Sequence, residues 1–198
     1  MLGIRRARSV FTPTLTQIGT AIALVSVSVF FLALIVVYAI IFASRYEPLT
    51  LRFPASLWAS TALLLAASVS LETARHAIWR GRVSRFRSRL LLTVLLGGAF
   101  VVSQVFSWGE LLEQGVFLRG NPHGSAFYLF TGAHGLHILG GLGWLGHLLR
   151  SGRALTETAE EHRLRRYRAT VGSAALYWHF MTCIWAVLFV LLYRWSSI

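Results

Sequence analysis

The sequence predicts an all-α integral membrane protein whose chain crosses the bilayer five times. Charged residues make up 13% of its 198 residues, whereas soluble domains carry about 25%. Hydrophobic residues make up 56%, and they form five long runs. Each run provides close to the roughly 20 residues that a helix needs to cross the hydrocarbon core. Helices are expected because a backbone in lipid must satisfy its own hydrogen bonds.

The five predicted spans follow one another with short connections between them. We place them near 18–43, 57–78, 90–108, 125–149 and 171–193. Residues 1–17 then form a cytoplasmic amino-terminal arm, and residues 18–198 form a single five-helix membrane domain. The first apolar run is too long for the core of a cleavable signal peptide, which takes roughly 7 to 15 residues. It is therefore expected to remain as a helix.

The connections carry turn signals and one polar segment. Proline and glycine residues mark the two outer loops as turns. The inner connection 150–168 is predicted to form a short polar helix. Thr158 and Glu161 have the spacing of a capping box, and Glu161 precedes Arg165 by one helical turn. We interpret this connection as a solvated linker.

The basic residues determine the predicted orientation. All but four of the 19 lie on one side of the predicted bundle, and the exceptions are Arg45, Arg52, Arg119 and Arg194. Because cytoplasmic loops are enriched in arginine, the amino terminus is predicted to be cytoplasmic and the carboxyl terminus outside. A net charge of +12 is also compatible with binding to nucleic acid. The arginines stand in short blocks between apolar runs rather than along an aromatic groove, so no nucleic-acid partner is predicted.

Ionisable residues inside the predicted spans are the first candidates for function. Glu72 precedes Arg75 by one turn, which favours an interfacial ion pair or a contact with a lipid headgroup or a neighbouring subunit. His134 and His137 share a helix face, and imidazole suits zinc, copper and iron. No carboxylate or thiol cluster joins them, so we predict that this chain binds no metal or cofactor. Together with His179, they are expected to form hydrogen bonds between the last two helices as neutral rings.

The fourth span is rich in glycine, which lets helix backbones approach closely. On one approximate face recur Gly132, Gly135, Gly143 and Gly146, with Gly140 and Gly141 beside it. Such a helix is expected to lie inside a bundle. The sequence contains no serine-hydrolase, zinc-protease or phosphate-loop motif, so no catalytic residues are predicted.

Two segments resemble a known family. Residues 125–141 contain Thr-Gly-Ala-His-Gly-Leu-His-Ile-Leu-Gly-Gly, which resembles the T-G-x-H-G-L-H-V-x-x-G pattern in the penultimate helix of cytochrome c oxidase subunit III. Residues 177–185 are similar to that family's last helix, Y-W-H-F-V-D-V-V-W. Residues 19–26 and 72–75 agree more loosely with its earlier helices. The resemblance covers nearly the whole chain, with its specificity in the last two spans.

The resemblance implies a non-redox subunit III of a haem-copper terminal oxidase in a bacterial inner membrane. Such a subunit packs on the catalytic subunit I and other oxidase subunits, holds structural phospholipids, and supports proton uptake during aerobic respiration. Haem and copper are then expected in the partner subunits. The residues expected to make helix-packing, lipid or subunit contacts are Glu72, His134, Gly135, His137, Gly141, Trp178 and His179.

The chain departs from the family pattern at two positions. Val27 and Thr182 stand where the family commonly has acidic residues, which makes carboxylate-linked functions at those positions doubtful.

Accessory subunits of quinol oxidases or of nitric oxide reductase share the same core motifs. Outside this group, a b-type haem protein and a small transporter are the alternatives, and the transporter is disfavoured because no broken helix or charged midplane site is apparent.

Overall fold

A computed structural model describes residues 15–43, 53–118, 122–154 and 161–196. In these segments the chain is helical except for turns and short connections. The α-helices are α1 (Leu15–Ala43), α2 (Ala55–Trp79), α3 (Val83–Glu113), α4 (Pro122–Ser151) and α5 (Glu161–Ser196), and a single 3-10 turn, Gly152–Ala154, follows α4. By length and composition, α1, α2, α3 and α5 are able to cross a membrane. The predicted all-α fold is confirmed.

Every helix extends beyond the apolar run that predicted it. The largest extensions are at the starts of α3, at Val83 rather than near 90, and of α5, at Glu161 rather than near 171. Hydropathy detects only the part of a helix that lies in hydrocarbon, whereas backbone hydrogen bonding continues into the interface. The predicted short polar helix is therefore the first part of α5, where Arg165 pairs with Glu161 at 3.1 Å. Thr158 lies outside the described residues.

Helices α2 and α3 form a tight antiparallel hairpin. Gly81 in the turn has φ of 73°, a left-handed conformation that glycine adopts without a steric penalty. Serine hydroxyls join the two helices at two levels. Ser56 lies 2.8 Å from Ser107, and Ser70 donates to the carbonyl oxygen of Arg89 at 3.0 Å.

The arginine-rich connections meet at one end of the bundle. The Arg87 guanidinium, near the start of α3, donates to the carbonyl oxygen of Gly152 at 2.9 Å. Arg168 in α5 donates to the carbonyl oxygen of Ile78 near the end of α2 at 3.1 Å. A cavity beside Arg168 is also lined by Gln17 at the start of α1. This arrangement places the start of α1 and both arginine-rich connections together.

The interior of the bundle is aromatic, and its outer surface is apolar. Trp178, Trp185, Phe100 and Phe130 are almost fully buried. Large apolar side chains are exposed on all five helices, among them Val29, Leu65, Leu95, Leu136 and Val187. A surface of this kind suits contact with lipid or with other membrane helices rather than with water.

Candidate functional site

A cluster of polar side chains links α2 to α5. The carboxylate of Glu72 accepts two hydrogen bonds from the Arg75 guanidinium, at 2.5 and 2.9 Å. The Nε2 atom of His179 in α5 lies 3.4 Å from Oε2, the same oxygen that accepts from Nε of Arg75. The Nδ1 atom of His179 lies 2.6 Å from the hydroxyl of Ser68. The ion pair expected between Glu72 and Arg75 is present, and His179 extends it across the helix interface.

The hydrogen bonding of the histidines differs from the expectation. His179 bonds to Ser68 of α2 rather than to α4. The Nδ1 atom of His137 lies 2.7 Å from the carbonyl oxygen one turn earlier in its own helix. Neither ring nitrogen of His134 has a hydrogen-bond partner among the described residues. The expectation of imidazole bonds between the last two helices is therefore wrong. Instead, the Tyr177 hydroxyl donates to the backbone oxygen of His137 at 3.0 Å.

His134 lies at the centre of an aromatic box. Its side chain is 0% exposed, and its ring centroid lies 5.0 Å from that of Trp185, 5.9 Å from that of Phe100 and 6.3 Å from that of Phe31. These rings come from α5, α3 and α1, so four helices meet around one imidazole. The box fills the space around His134 with ring edges and faces. The side chain therefore contributes packing, and its polar atoms lack compensation from the described residues.

Trp178 is the second place where helices meet closely. Its indole is 0% exposed and lies between α3 and α4. A Cβ atom built on Gly97 of α3 would lie 2.6 Å from the indole and 2.8 Å from Leu142. A Cβ on Gly141 of α4 would lie 3.5 Å from the same indole and 3.2 Å from Tyr177. Gly97 was missed by sequence reasoning, although a Gly-Gly pair inside a helix is a recognisable signal.

The face of α4 that carries the other predicted glycines has no neighbour within the described chain. Cβ atoms built on Gly135, Gly143 and Gly146 would meet nothing within 4 Å. Leu139, on the same face, is 50% exposed. At the edge of this face, a Cβ atom built on Gly132 would lie 3.6 Å from the indole of Trp108. We call Gly135, Leu139, Gly143 and Gly146 the open face of α4. Among the residues that the structure describes, neighbours therefore cover the glycine-rich helix on one side only.

The two positions that depart from the family pattern are both buried. Val27 is 7% exposed and Thr182 is 8% exposed. The Thr182 hydroxyl donates to the backbone oxygen of Trp178 within α5 at 3.0 Å. In the part of the chain that the structure describes, no group of three or more His, Cys, Asp or Glu side chains is placed to hold a metal ion.

Comparison with known proteins gives a consistent result. Residues 15–197 match the family model described as cytochrome c oxidase subunit III. A probable cytochrome c oxidase subunit 3 of Nocardia farcinica is 29% identical over 96% of this chain and 92% of its own length. A protein of the same description from Mycobacterium tuberculosis is 30% identical over 95% and 92%. Cytochrome c oxidase subunit 3 of Mus musculus is 31% identical over 70% of this chain and 49% of its own length.

Proposed function

Because this chain belongs to the cytochrome c oxidase subunit III family, we propose that it packs on the catalytic subunit I of a haem-copper terminal oxidase and stabilises that subunit during aerobic respiration. Family membership places the chain in a complex with other oxidase subunits. Haem and copper then reside in the partner subunits, and structural phospholipids fill the contacts between them. Relatives from bacteria, matched over almost their whole length, support a location in a bacterial inner membrane.

The open face of α4 is the observation that carries the proposed contact. Lipid tails are as apolar as leucine side chains, so the hydrophobic effect does not drive helices together inside a membrane. Helices associate there through close packing, which glycines allow by letting the two backbones approach each other. Gly135, Gly143 and Gly146 leave this backbone uncovered by the described residues of the chain. A lipid-facing helix gains nothing from such exposure, whereas a helix of another subunit can approach it closely. We assign the open face to the contact with subunit I.

The proposed topology has all five helices crossing the membrane, with the amino terminus in the cytoplasm and the carboxyl terminus outside. Helix α4 has 30 residues, about 45 Å at 1.5 Å per residue, which is long enough to cross. Its glycines and histidines lower its hydropathy, but Arg150 near its end is the single Asp, Glu, Lys or Arg in its sequence. The shared end of the arginine-rich connections supports the cytoplasmic assignment of that end.

Fusions of a reporter to the full chain test this topology. Alkaline phosphatase is active only outside the cytoplasm, so a fusion after Ile198 should be active and a fusion within the α2–α3 turn, after Gly81, should be inactive. Green fluorescent protein fluoresces when it stays in the cytoplasm but not when it is exported unfolded across the membrane. Its fusions at the same two positions should therefore give the opposite pattern. Five crossings that begin with a cytoplasmic amino terminus leave the carboxyl terminus outside, so an inactive phosphatase at the carboxyl terminus would contradict this topology.

Removal of this subunit tests the stabilising role. An oxidase assembled without this chain should begin turnover at nearly the rate of the intact complex and then lose activity faster during sustained turnover. Oxygen consumption followed over many turnovers, with and without the chain added back, measures both quantities. If the complex lacking this chain showed unchanged endurance, the stabilising role would be wrong. If it showed no initial turnover, the chain would contribute directly to catalysis.

A further inference from the structure

A cavity of about 620 Å³ lies between the start of α1, the end of α2 and the first half of α5. This volume is within the range of roughly 300 to 1,000 Å³ that is typical of small-ligand sites. The lining includes the Trp79 indole, two arginines, small residues of α5 and the apolar Leu176. We propose that this cavity, which we call the Trp79 cavity, binds the headgroup of a membrane quinone.

The charges around the Trp79 cavity favour an uncharged ligand. Glu161 is the acidic residue of the lining, and its carboxylate pairs with Nε of Arg165 at 3.1 Å. Among the described residues of the lining, Arg168 is the remaining charged side chain, and its Nε donates to the carbonyl oxygen of Ile78 at 3.1 Å. A guanidinium carries five N–H donors, so Arg168 retains donors for an acceptor oxygen of a ligand. A carbonyl oxygen can accept from such a donor without adding a negative charge.

Ser173 provides a second hydrogen-bond donor inside the cavity. This residue is 5% exposed and lines the cavity, and its hydroxyl makes no hydrogen bond to any described residue. The hydroxyl of Thr20, which also lines the cavity, donates instead to the carbonyl oxygen of Thr16 at 2.8 Å. Because a buried hydroxyl without a partner destabilises the fold, Ser173 indicates a ligand that carries an acceptor oxygen.

The cavity offers a flat aromatic surface and open space for a ring. Trp79, at the end of α2, is 58% exposed, and the Arg168 guanidinium carbon lies 5.8 Å from the centroid of its indole. On the α5 side, a Cβ atom built on Gly172 would meet nothing within 4 Å. A planar ring can therefore enter the cavity and stack on the indole, in the way that flat rings stack on aromatic side chains elsewhere.

The lining changes from polar to apolar along α5. Glu161 lies before the apolar run that begins near residue 171, whereas Ser173 and Leu176 lie within that run. A ligand that follows this gradient has a polar head and an apolar tail. A quinone meets each requirement, because its headgroup is flat and uncharged, its carbonyl oxygens accept hydrogen bonds and its isoprenoid tail is apolar. A phospholipid has a charged phosphate and no planar ring to cover Trp79.

Quinone binding by the full chain tests the proposal. The chain, purified in a mild detergent and stripped of lipid, is titrated with decylubiquinone, and bound quinone is counted by native mass spectrometry. One quinone should bind per chain, and the binding should saturate. Trp79→Ala should weaken it by about 5- to 100-fold, the loss expected when an aromatic stacking surface is removed. Ser173→Ala should weaken it by about 2- to 10-fold, the loss expected for one neutral hydrogen bond.

Filling the cavity tests the same site without removing a contact. Gly172→Leu should weaken binding by more than about tenfold, because the quinone and the leucine side chain would compete for one space, and it should not lower the unfolding midpoint. Two variants outside the cavity serve as matched controls. Trp58→Ala removes an indole of the same helix that is 55% exposed, and Gly98→Leu fills open space beside α3. Both should change the affinity by less than about twofold, because distant sites act independently.

Three results would overturn the proposal. Equal losses in Trp79→Ala and Trp58→Ala would show that the indoles act without a specific site. Quinone uptake that none of the cavity variants changes would show that the quinone binds elsewhere. Displacement of the quinone by phosphatidylglycerol at a similar concentration would assign the cavity to a phospholipid instead. The proposal concerns binding alone and does not depend on assembly with subunit I, so its failure would leave co-purification with the oxidase unaffected.

Discussion

Addition of one methyl group at Gly97 should disrupt the contact of α3 with Trp178. A Cβ atom at this position would lie 2.6 Å from Cη2 and 3.2 Å from Cζ2 of the indole, and 2.8 Å from Cδ2 of Leu142. The leucine methyl can rotate away. The indole is 0% exposed and packed on all sides, so relief requires α3 or α5 to shift.

The adjacent residue provides the control that sets the magnitude. A Cβ on Gly98 would meet nothing within 4 Å, so Gly98→Ala should gain about 0.5 to 1 kcal/mol from the lower freedom of the unfolded chain. Gly97→Ala has the same gain, but overpacking costs about 1 to 3 kcal/mol. The difference in unfolding free energy between the two variants is therefore about 1 to 3 kcal/mol. For a chain of this size, that corresponds to roughly 2 to 12 °C in midpoint temperature.

Thermal unfolding of the purified full chain in one detergent measures this difference, with tryptophan fluorescence as the signal. Gly97→Ala should unfold at the lower temperature and Gly98→Ala at or above the temperature of the unchanged chain. Equal midpoints for the two variants would refute the close contact between Gly97 and Trp178. A larger loss at Gly98 would show that α3 is rotated about its axis relative to the described packing.

Three further predictions follow from the same packing. Gly135→Leu should leave the unfolding midpoint of the isolated chain unchanged, because this face is open, but it should reduce retention of the chain in the oxidase after detergent extraction; full retention would remove the open face as the contact. His134→Leu should match or exceed the stability of the unchanged chain, because it removes buried polar atoms whose lack of partners costs about 1 to 3 kcal/mol; a lower midpoint would show that the imidazole ring stabilises the bundle and would contradict this reasoning. His179→Leu should lower stability by about 0.6 kcal/mol for each lost interhelical bond, whereas His179→Gln should recover part of it; equal midpoints for both would show that the bonds to Ser68 and Glu72 contribute nothing.

Sequence patterns predicted the helices well because the condition for spanning a lipid bilayer applies to each apolar run by itself. A run of apolar residues long enough for the bilayer must be helical, and each predicted run lies within one helix. Helix ends were less predictable for the same reason. The first turns of α3 and α5 are rich in arginine, so hydropathy excludes them even though the backbone continues without a break.

The contacts of the candidate residues were harder to predict. The spacing of residues along a helix shows which of them share a face, but it does not show which neighbouring helix that face contacts. Glu72 and Arg75 are one turn apart, so their ion pair could be read from the sequence. His179 was assigned to α4, and the rotation of α5 turns it towards Ser68 of α2 instead. His134 was expected to form a hydrogen bond, but aromatic rings from three other helices surround it. Such an environment depends on residues that are distant in sequence.

Purification of the complex through a tag on this chain tests the central claim most directly. The claim is that the chain is a colourless subunit of a haem-copper oxidase. A tagged chain should co-purify with the catalytic subunit in equal amount, and the complex should show the haem spectrum and the oxygen-reducing activity of that subunit. Whether the purified complex oxidises cytochrome c or a quinol will distinguish a cytochrome c oxidase from a quinol oxidase. After dissociation from its partners, the tagged chain should show no absorbance in the haem region and no bound copper. Stoichiometric haem retained on the separated chain, or purification without any oxidase subunit, would contradict the account.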